Sequence, residues 1–342
     1  PNPEQAENYG DMLAPIIKRR IADDPTLATG GGVLCNQGKA VDPIILNEDA
    51  LQKKERDQGP SMFQLQFMLN TRLLDALRYP LKPENLIVMR LGEQSQYPMS
   101  IIRGFGGPSL VRFSIDTFNC AMSRPHEISK ETSVLQGTVM YVDPAGGGRN
   151  ADETAYAVVG FLNGNCFLLA WGGVPGGYAA NGLETIAKVA ARWKVNTVIV
   201  EKNMGFGAFR EVWMPVLRKF WTCKIEDDLV GPKQKELRII DVLEPIIARG
   251  SLVVNEDGVQ AEAQSIQQYG TDKRITYSML FQLSKITRDR GALIHDDRLD
   301  ALAGAVAHWI PYLMKDQQKA LAEHQRRDFE ERIKDPLRPH RY

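Results

Sequence analysis

The sequence predicts an α/β protein in which a mixed sheet flanked by helices occupies the second half and a mostly helical region precedes it. Two observations predict this class. Near residue 137 the chain changes from polar helical stretches to strand-like apolar runs, and from there the elements follow the order βββ-α-β-α…α. A third observation concerns chemistry: acidic segments at Asp143, at Glu201 and at Asp296-Asp297-Arg298-Leu299-Asp300 fall at two strand ends and one helix start.

Residues 1–130 alternate polar helical stretches and loops, with Gly30-Gly31-Gly32, a run 48–56 capped by Asn47, and a more apolar run 62–77. Segment 101–107, with Gly104, Gly106 and Gly107 before Pro108, reads as a loop or linker. From residue 137 the apolar runs 138–143, 154–162 and 166–171 form a meander. Asn163-Gly164-Asn165 marks the hairpin between the last two. Asn181 is placed to cap a helix 183–193, whose Leu183, Ile186, Ala187, Ala190 and Ala191 make one apolar stripe. Run 197–201 is apolar up to its final Glu201, as in a strand buried in a parallel pairing. Helices are expected at 208–220 and 233–249, the second ended by Gly250, before a strand at 252–254. A last helix is expected over 296–313, where Ala301, Ala303, Gly304, Ala305 and Ala307 permit close approach to a sheet. Residues 315–342 hold eight basic and six acidic side chains and read as an exposed charged tail.

Composition narrows the function classes. At 342 residues, 43% hydrophobic and 25% charged, the chain has the make-up of a globular protein of one large or two smaller domains. A net charge of zero excludes a wholesale basic coat, so any nucleic-acid contact must be local. Cys35, Cys120, Cys166 and Cys223 form no CxxC pair, against a zinc site or a disulfide framework and in keeping with a reducing cytoplasm. The apolar stretch 301–314 is too short for a membrane span and carries His308 and Pro311, and no signal peptide is evident, so no membrane role is expected. The start at Pro1 suggests a piece of a longer protein, with processing as the plainer alternative.

Each acidic segment has an ordinary explanation: Asp143 as a turn residue, Glu201 as a solvated strand end, and the three aspartates as a helix cap and dipole partners. Their coincidence on one sheet is what points to a site, because open α/β sheets place ligands outside the carboxyl ends of their strands. All-carboxylate ligands suit Mg²⁺ or Mn²⁺ rather than zinc. Two such ions about 4 Å apart would activate a water and stabilise the leaving oxygen of a phosphodiester. Gly146, Gly147 and Gly148 admit a phosphate backbone closely or form a plain turn. His295 reads as an acid, base or outer ligand, or as a surface histidine at a helix start. Lys233, Lys235, Arg238, Lys285, Arg288 and Arg290 are candidate DNA phosphate contacts, or else a solvated basic face.

Tyr141-Val142-Asp143-Pro144-Ala145-Gly146-Gly147, the strand ending in Glu201, the run from Lys235 to Ile246, and His295-Asp296-Asp297-Arg298-Leu299-Asp300-Ala301-Leu302 together resemble the nuclease domain of the large terminase subunit of tailed phages. The match in style is nearest to the DNA maturase of short-tailed phages and covers about 135–312. The resemblance implies an RNase H-like fold and a metal-dependent endonuclease that cuts concatemeric double-stranded DNA during packaging. By motif it implies Asp143, Glu201 and Asp297 as the catalytic, metal-binding triad with Asp296 and Asp300 in support. Which of the last three acids completes the set stays open. It divides the chain into the end of an ATPase region and linker (1–130), a nuclease domain (131–314) and the tail (315–342). It also implies that ATP is used only through an ATPase half whose phosphate loop and acidic strand do not occur here. The implied partners are DNA, the portal or prohead and a small terminase subunit, and the implied place is the host cytoplasm, transiently at the prohead. Other readings are a junction resolvase or transposase of the same fold, an RNase H-like ATPase or kinase using loop 143–148 for phosphate, and a docking module acting through the tail.

Overall fold

A computed structural model describes residues 15–25, 44–58, 63, 66–67, 78–92, 96–104, 109–145, 153–176, 179–202, 208–228, 231 and 233–313. The glycine triplets at 30–32 and 146–148, most of the run 62–77 and the tail 315–342 lie outside these residues. The chain divides into two compact units, Pro1–Leu77 and Arg78–Tyr342.

In the first unit, helix α1 spans Pro15–Asp23 and α2 spans Glu48–Gln58. The Asn47 carboxamide oxygen accepts the Ala50 N–H at 2.9 Å, the expected N-terminal cap.

The second unit holds strands β1 (Ile87–Met89), β2 (Tyr97–Pro98), β3 (Ile101–Arg103), β4 (Leu110–Ile115), β5 (Phe118–Ser123), β6 (Pro125–Ile128), β7 (Thr132–Ser133), β8 (Gly137–Asp143), β9 (Thr154–Leu162) and β10 (Asn165–Val174). After them come α3 (Ala180–Arg192), β11 (Thr197–Glu201), α4 (Ala208–Phe220), β12 (Lys224–Asp228), α5 (Lys235–Arg249), β13 (Leu252–Asn255), α6 (Glu256–Ser265), α7 (Met279–Lys285) and α8 (Asp297–Ala307). Nine strands form one sheet in the order β12-β11-β8-β9-β10-β13-β1-β5-β4. The β8-β9-β10 meander is antiparallel, while β11 and β12 lie parallel to β8 and β13 lies parallel to β10 and β1.

Alternation along β8 separates two cores. Val139 and Tyr141 face a layer that includes Ile239 and Leu243 of α5 and Leu299 and Ala303 of α8, whereas Met140 and Val142 face Leu183 and Ile186 of α3 and Trp213 of α4. The result is a mixed sheet with helices on both faces, the α/β class expected.

Several details differ from expectation. The cap of α3 is Ala179, with no side-chain bond, and Asn181 lies inside the first turn, so the earlier start leaves its carboxamide without a capping role. The expected last helix is broken by a turn at 308–309 after Ala307, and residues 310–313 are helical again. Segment 101–107 contains a strand: β3 pairs antiparallel with β6. Strands β1, β4 and β5 extend the large sheet back to residue 87, well before the 131 boundary of the sequence-based division. β1 is only three residues long, and β4 shows little burial, so their apolar pattern is weak; the pairing of β1 with β13, far along the chain, ties them to the sheet. Among the described residues no helix is long and apolar enough to cross a membrane.

Candidate metal centre

Strand periodicity aims the first two acids. In β8 the residues at 139, 141 and 143 share the face toward α8. In β11 the apolar partners place Ile199, and with it Glu201, on that same face. The parallel register Val200↔Val142 then sets Glu201 beside Asp143 at the carboxyl end of the sheet. Helix α8 supplies the third acid. Gly304 lies against the Tyr141 ring so closely that a Cβ there would stand 2.5 Å from ring atoms, and Asp300, one turn earlier on the same helix face, is thereby carried over the strand ends.

One carboxylate oxygen each from Asp143, Glu201 and Asp300 lies within 4.8 Å of the other two. Burial first, and then the Glu201 charge, push the Asp143 carboxyl well above the usual range, against the pull of Lys235. Glu201 is raised by burial and then by Asp300. Asp300 is raised by burial despite Lys235 and Arg238. Such a cluster of oxygens, costly to ionise together, is a donor set for a hard divalent cation.

Two cations on the first turn of α5 enter the same space. Lys235 Nζ stands 3.2 Å from Asp300, 3.9 Å from Asp143, 2.8 Å from Asp296 and 3.9 Å from Asp297. Burial alone would lower its pKa, but Asp300, Asp296 and Asp143 outweigh it and hold the ammonium charged. Three residues on, in the same turn, an Arg238 guanidinium nitrogen donates to both Asp300 oxygens at 2.7 Å. The carboxylates still outnumber these cations.

Of the acids singled out in the last motif, Asp300 joins the three-carboxylate group. Asp296 occupies the cap position of α8 and accepts from Lys235, and Asp297 opens the helix on the Lys235 side. Lys235 and Arg238 reach the acids. Lys233 instead pairs with Asp241, Arg288 donates to Glu244 at 2.8 Å, Lys285 stands over the Tyr79 ring, and Arg290 is exposed beyond α7. The His295 ring stacks on Tyr277 with centroids 4.0 Å apart.

Asp228 and the buried pair of Arg298 with Glu153 escaped the sequence. Asp228 ends β12 directly beside Glu201, and the Tyr141 hydroxyl donates to it at 2.8 Å. Its signal was hidden because Glu226-Asp227-Asp228 reads as a solvated acidic run. Arg298 is fully buried and pairs with Glu153, its Nε 2.6 Å from Oε1. Nothing in the local pattern tells a buried arginine in that helix from an exposed one.

The fold and this centre define a ribonuclease H-like domain. Residues 142–252 match the family described as the ribonuclease H-like domain of the bacteriophage T7 terminase. The chain is 33% identical over 332 residues to the large terminase subunit of Enterobacteria phage T3, a match that takes in 96% of this chain and 54% of the relative. The chain thus spans about half the length of that curated relative. Among solved structures it is similar to the large terminase nuclease of thermophilic phage G20c, with 13% identity, TM-score 0.35, and 67% of this chain and 98% of that one covered. It is also similar to the human cytomegalovirus terminase nuclease domain, with 15% identity, TM-score 0.33, and 51% and 82% covered.

Proposed function

We propose that this chain is a metal-dependent endonuclease that cuts concatemeric double-stranded DNA during phage genome packaging. The observation that carries the reading is the convergence of Asp143, Glu201 and Asp300 oxygens within 4.8 Å at the carboxyl end of a ribonuclease H-like sheet. Under this reading Asp143, Glu201 and Asp300 hold Mg²⁺ or Mn²⁺, with Asp296 and Asp297 flanking. A divalent ion bound there supplies the Lewis acidity that activates water and stabilises the leaving oxygen of a phosphodiester.

The chain's own residues do the rest. Asp143 and Glu201 project from neighbouring strands whose register fixes their spacing, so the ligands are positioned before any ion arrives. Arg238 holds both oxygens of Asp300 and fixes the orientation of that carboxylate. Lys235 sits among the acids, offsets part of their repulsion, and is placed to meet the phosphate of a docked strand. Lys233, Lys285, Arg288 and Arg290 extend this role outward as backbone contacts on the surface. Their contribution would show as a steep fall of binding with salt.

The comparison with the phage T3 large terminase supports a wider assignment. We take residues 1–130 as the end of an ATPase region and its linker, whose strands β1, β4 and β5 join the nuclease sheet, 131–314 as the nuclease and 315–342 as a tail for docking. ATP then acts only through an ATPase region elsewhere in the parent protein, and the partners are the portal or prohead and a small subunit in the host cytoplasm.

The direct test is plasmid cleavage by the purified chain in Mn²⁺ or Mg²⁺. Wild type should cut. Asp143→Ala should abolish cutting with no fall in melting temperature, because relief of like-charge repulsion among the acids offsets the missing attraction to Lys235. Folded wild-type chain that leaves DNA intact in both metals would overturn the proposal. Preferential cleavage of four-way junctions would favour a resolvase, and ATP binding without cleavage would favour a kinase-like use of loop 143–148.

A further inference from the structure

At the carboxyl ends of β11 and β12 the two faces of the sheet carry opposite charge. Glu201 and Asp228 are Cα partners on the face toward α8, and strand alternation turns the residues beside them, Lys202 and Asp227, to the other face. Asp227 is the register partner of Val200, which packs in the core that includes Phe209 and Trp213 of α4. Lys202 carries the ladder one residue past β11, its N–H donating to the Asp228 carbonyl at 3.1 Å. Arg210, in the first turn of α4, reaches the same place. Its Nη1 donates to Asp227 Oδ2 at 2.8 Å, and Lys202 Nζ stands 3.7 Å from that one oxygen, too far for a hydrogen bond. Among the described residues neither cation pairs with another acid. Arg210 Nε is buried with no acceptor, while the Lys202 and Arg210 side chains stay 37% and 32% exposed. Positive charge and hydrogen-bond donors are therefore in surplus around a single oxyanion.

We infer that Lys202 and Arg210 form a binding site for a phosphate of the DNA backbone, with Asp227 as the resident anion that competes for the same donors. The choice of DNA as the ligand rests on the nuclease reading given under Proposed function. Each DNA strand presents a phosphate about every 3.4 Å of rise, so a duplex that brings one phosphate to the acids seats others over the adjoining strand ends. A guanidinium and an ammonium converging on one oxygen suit such a group. The pair follows Glu201 by one residue and Asp228 lies next to Asp227, so the site is continuous with the acid centre yet faces away from it. Its attraction for DNA does not require the acids to hold a cation. Lys202 and Arg210 are thus binding residues that fix the path of the strand over the edge of the sheet.

The experiment follows the anisotropy of a labelled duplex DNA bound by the full chain in chelator over a salt series. Thermal unfolding checks folding, and Mn²⁺ calorimetry checks the acids. Arg210→Gln should weaken DNA binding about tenfold and Lys202→Gln about threefold. Each should flatten the slope of log affinity against log salt by about one unit. Asp227→Asn removes the competing anion and should tighten binding about threefold. That gain should exceed the effect of Glu127→Gln, which removes one negative charge from an exposed position on β6, in a separate two-stranded sheet. A pair that only braces the edge strand gives the opposite result: Asp227→Asn lowers the melting temperature and binds DNA no better than Glu127→Gln. Mn²⁺ uptake should match wild type in every variant. Unchanged affinity and slope in folded Lys202→Gln, or Asp227→Asn no tighter than Glu127→Gln, would overturn the site; both measurements stand if Arg210→Gln does not fold. Loss of Mn²⁺ uptake together with DNA binding would overturn it as a site separate from the acids. Wild-type chain that shows these DNA responses but neither takes up Mn²⁺ nor cuts would instead overturn the nuclease reading and leave the phosphate site in place.

Discussion

Helix α8 carries two buried charge clusters that meet opposite fates. At Arg298 the guanidinium lies fully buried, with Nε and one terminal nitrogen on Glu153 at 2.6 and 2.9 Å and the other terminal nitrogen donating to Ser265 at 2.9 Å. Tyr269 donates its hydroxyl to the same Glu153. Two residues later, Asp300 meets Asp143 and Glu201, and the cations Lys235 and Arg238 do not match the acids around them. Burial costs both clusters solvation. In the first, both oxygens of Glu153 are paired with the one guanidinium and the charges act as structure; in the second, negative charge is left over, and the surplus is what a divalent cation would neutralise. Burial of charge alone therefore does not mark a functional site; the surplus of like charge with converging oxygens is what sets the second cluster apart.

The largest effect should come from breaking the balanced cluster. Arg298→Met strands the Glu153 carboxylate in the core and should cost about 3–5 kcal/mol in urea unfolding. A decrease below about 1 kcal/mol would mean that Glu153 takes up a proton and that the pair adds little. Next in size is the spacing of the unbalanced cluster. Gly304→Ala adds a methyl against Tyr141, so strain of about 1–3 kcal/mol should outweigh the helix-propensity gain of about 1 kcal/mol. Weaker Mn²⁺ uptake should accompany it, since the helix that carries Asp300 must retreat. Normal stability and normal uptake together would show that the helix position does not set the carboxylate spacing.

A third effect concerns pH. The Asp143, Glu201 and Asp300 carboxyls are all raised in the fold. Raised groups of this kind contribute stability that is fully present below their ordinary range near about pH 4 and is lost as pH rises through their folded values. Metal-free protein should therefore lose this contribution toward neutral pH. Saturating Mn²⁺ should return it, by about 2.7 kcal/mol at a hundredfold excess over Kd. The gain in melting temperature on adding Mn²⁺ should grow with pH and shrink in Asp143→Asn. A gain independent of pH would contradict the picture of acids that are costly to ionise.

Much of the centre was legible because it rests on local patterns. The apolar runs that end in Asp143 and Glu201 are continuous enough to read as strands, and Gly250 stops α5 in the left-handed conformation expected of it, with φ 69°. The choice among Asp296, Asp297 and Asp300 was not legible, since all three fall within about one helical turn. Side-chain direction there depends on how α8 lies on the sheet. Asp228 and the strands between 87 and 123 were hidden for a related reason: short or polar strands take their identity from partners far along the chain.

The sequence by itself determined the alternation that turns Asp143 and Glu201 to one face, the small residues that let α8 approach, and the all-oxygen character of the candidate ligands. Only the tertiary structure decided that Asp300 completes the group, that Lys235 and Arg238 stand among the acids, and that Arg298 is a satisfied core charge. Periodicity fixes which way a side chain leaves its own strand or helix. Which charges meet depends on register between strands and on the seating of one helix against one tyrosine, and those are set by packing across the whole sheet.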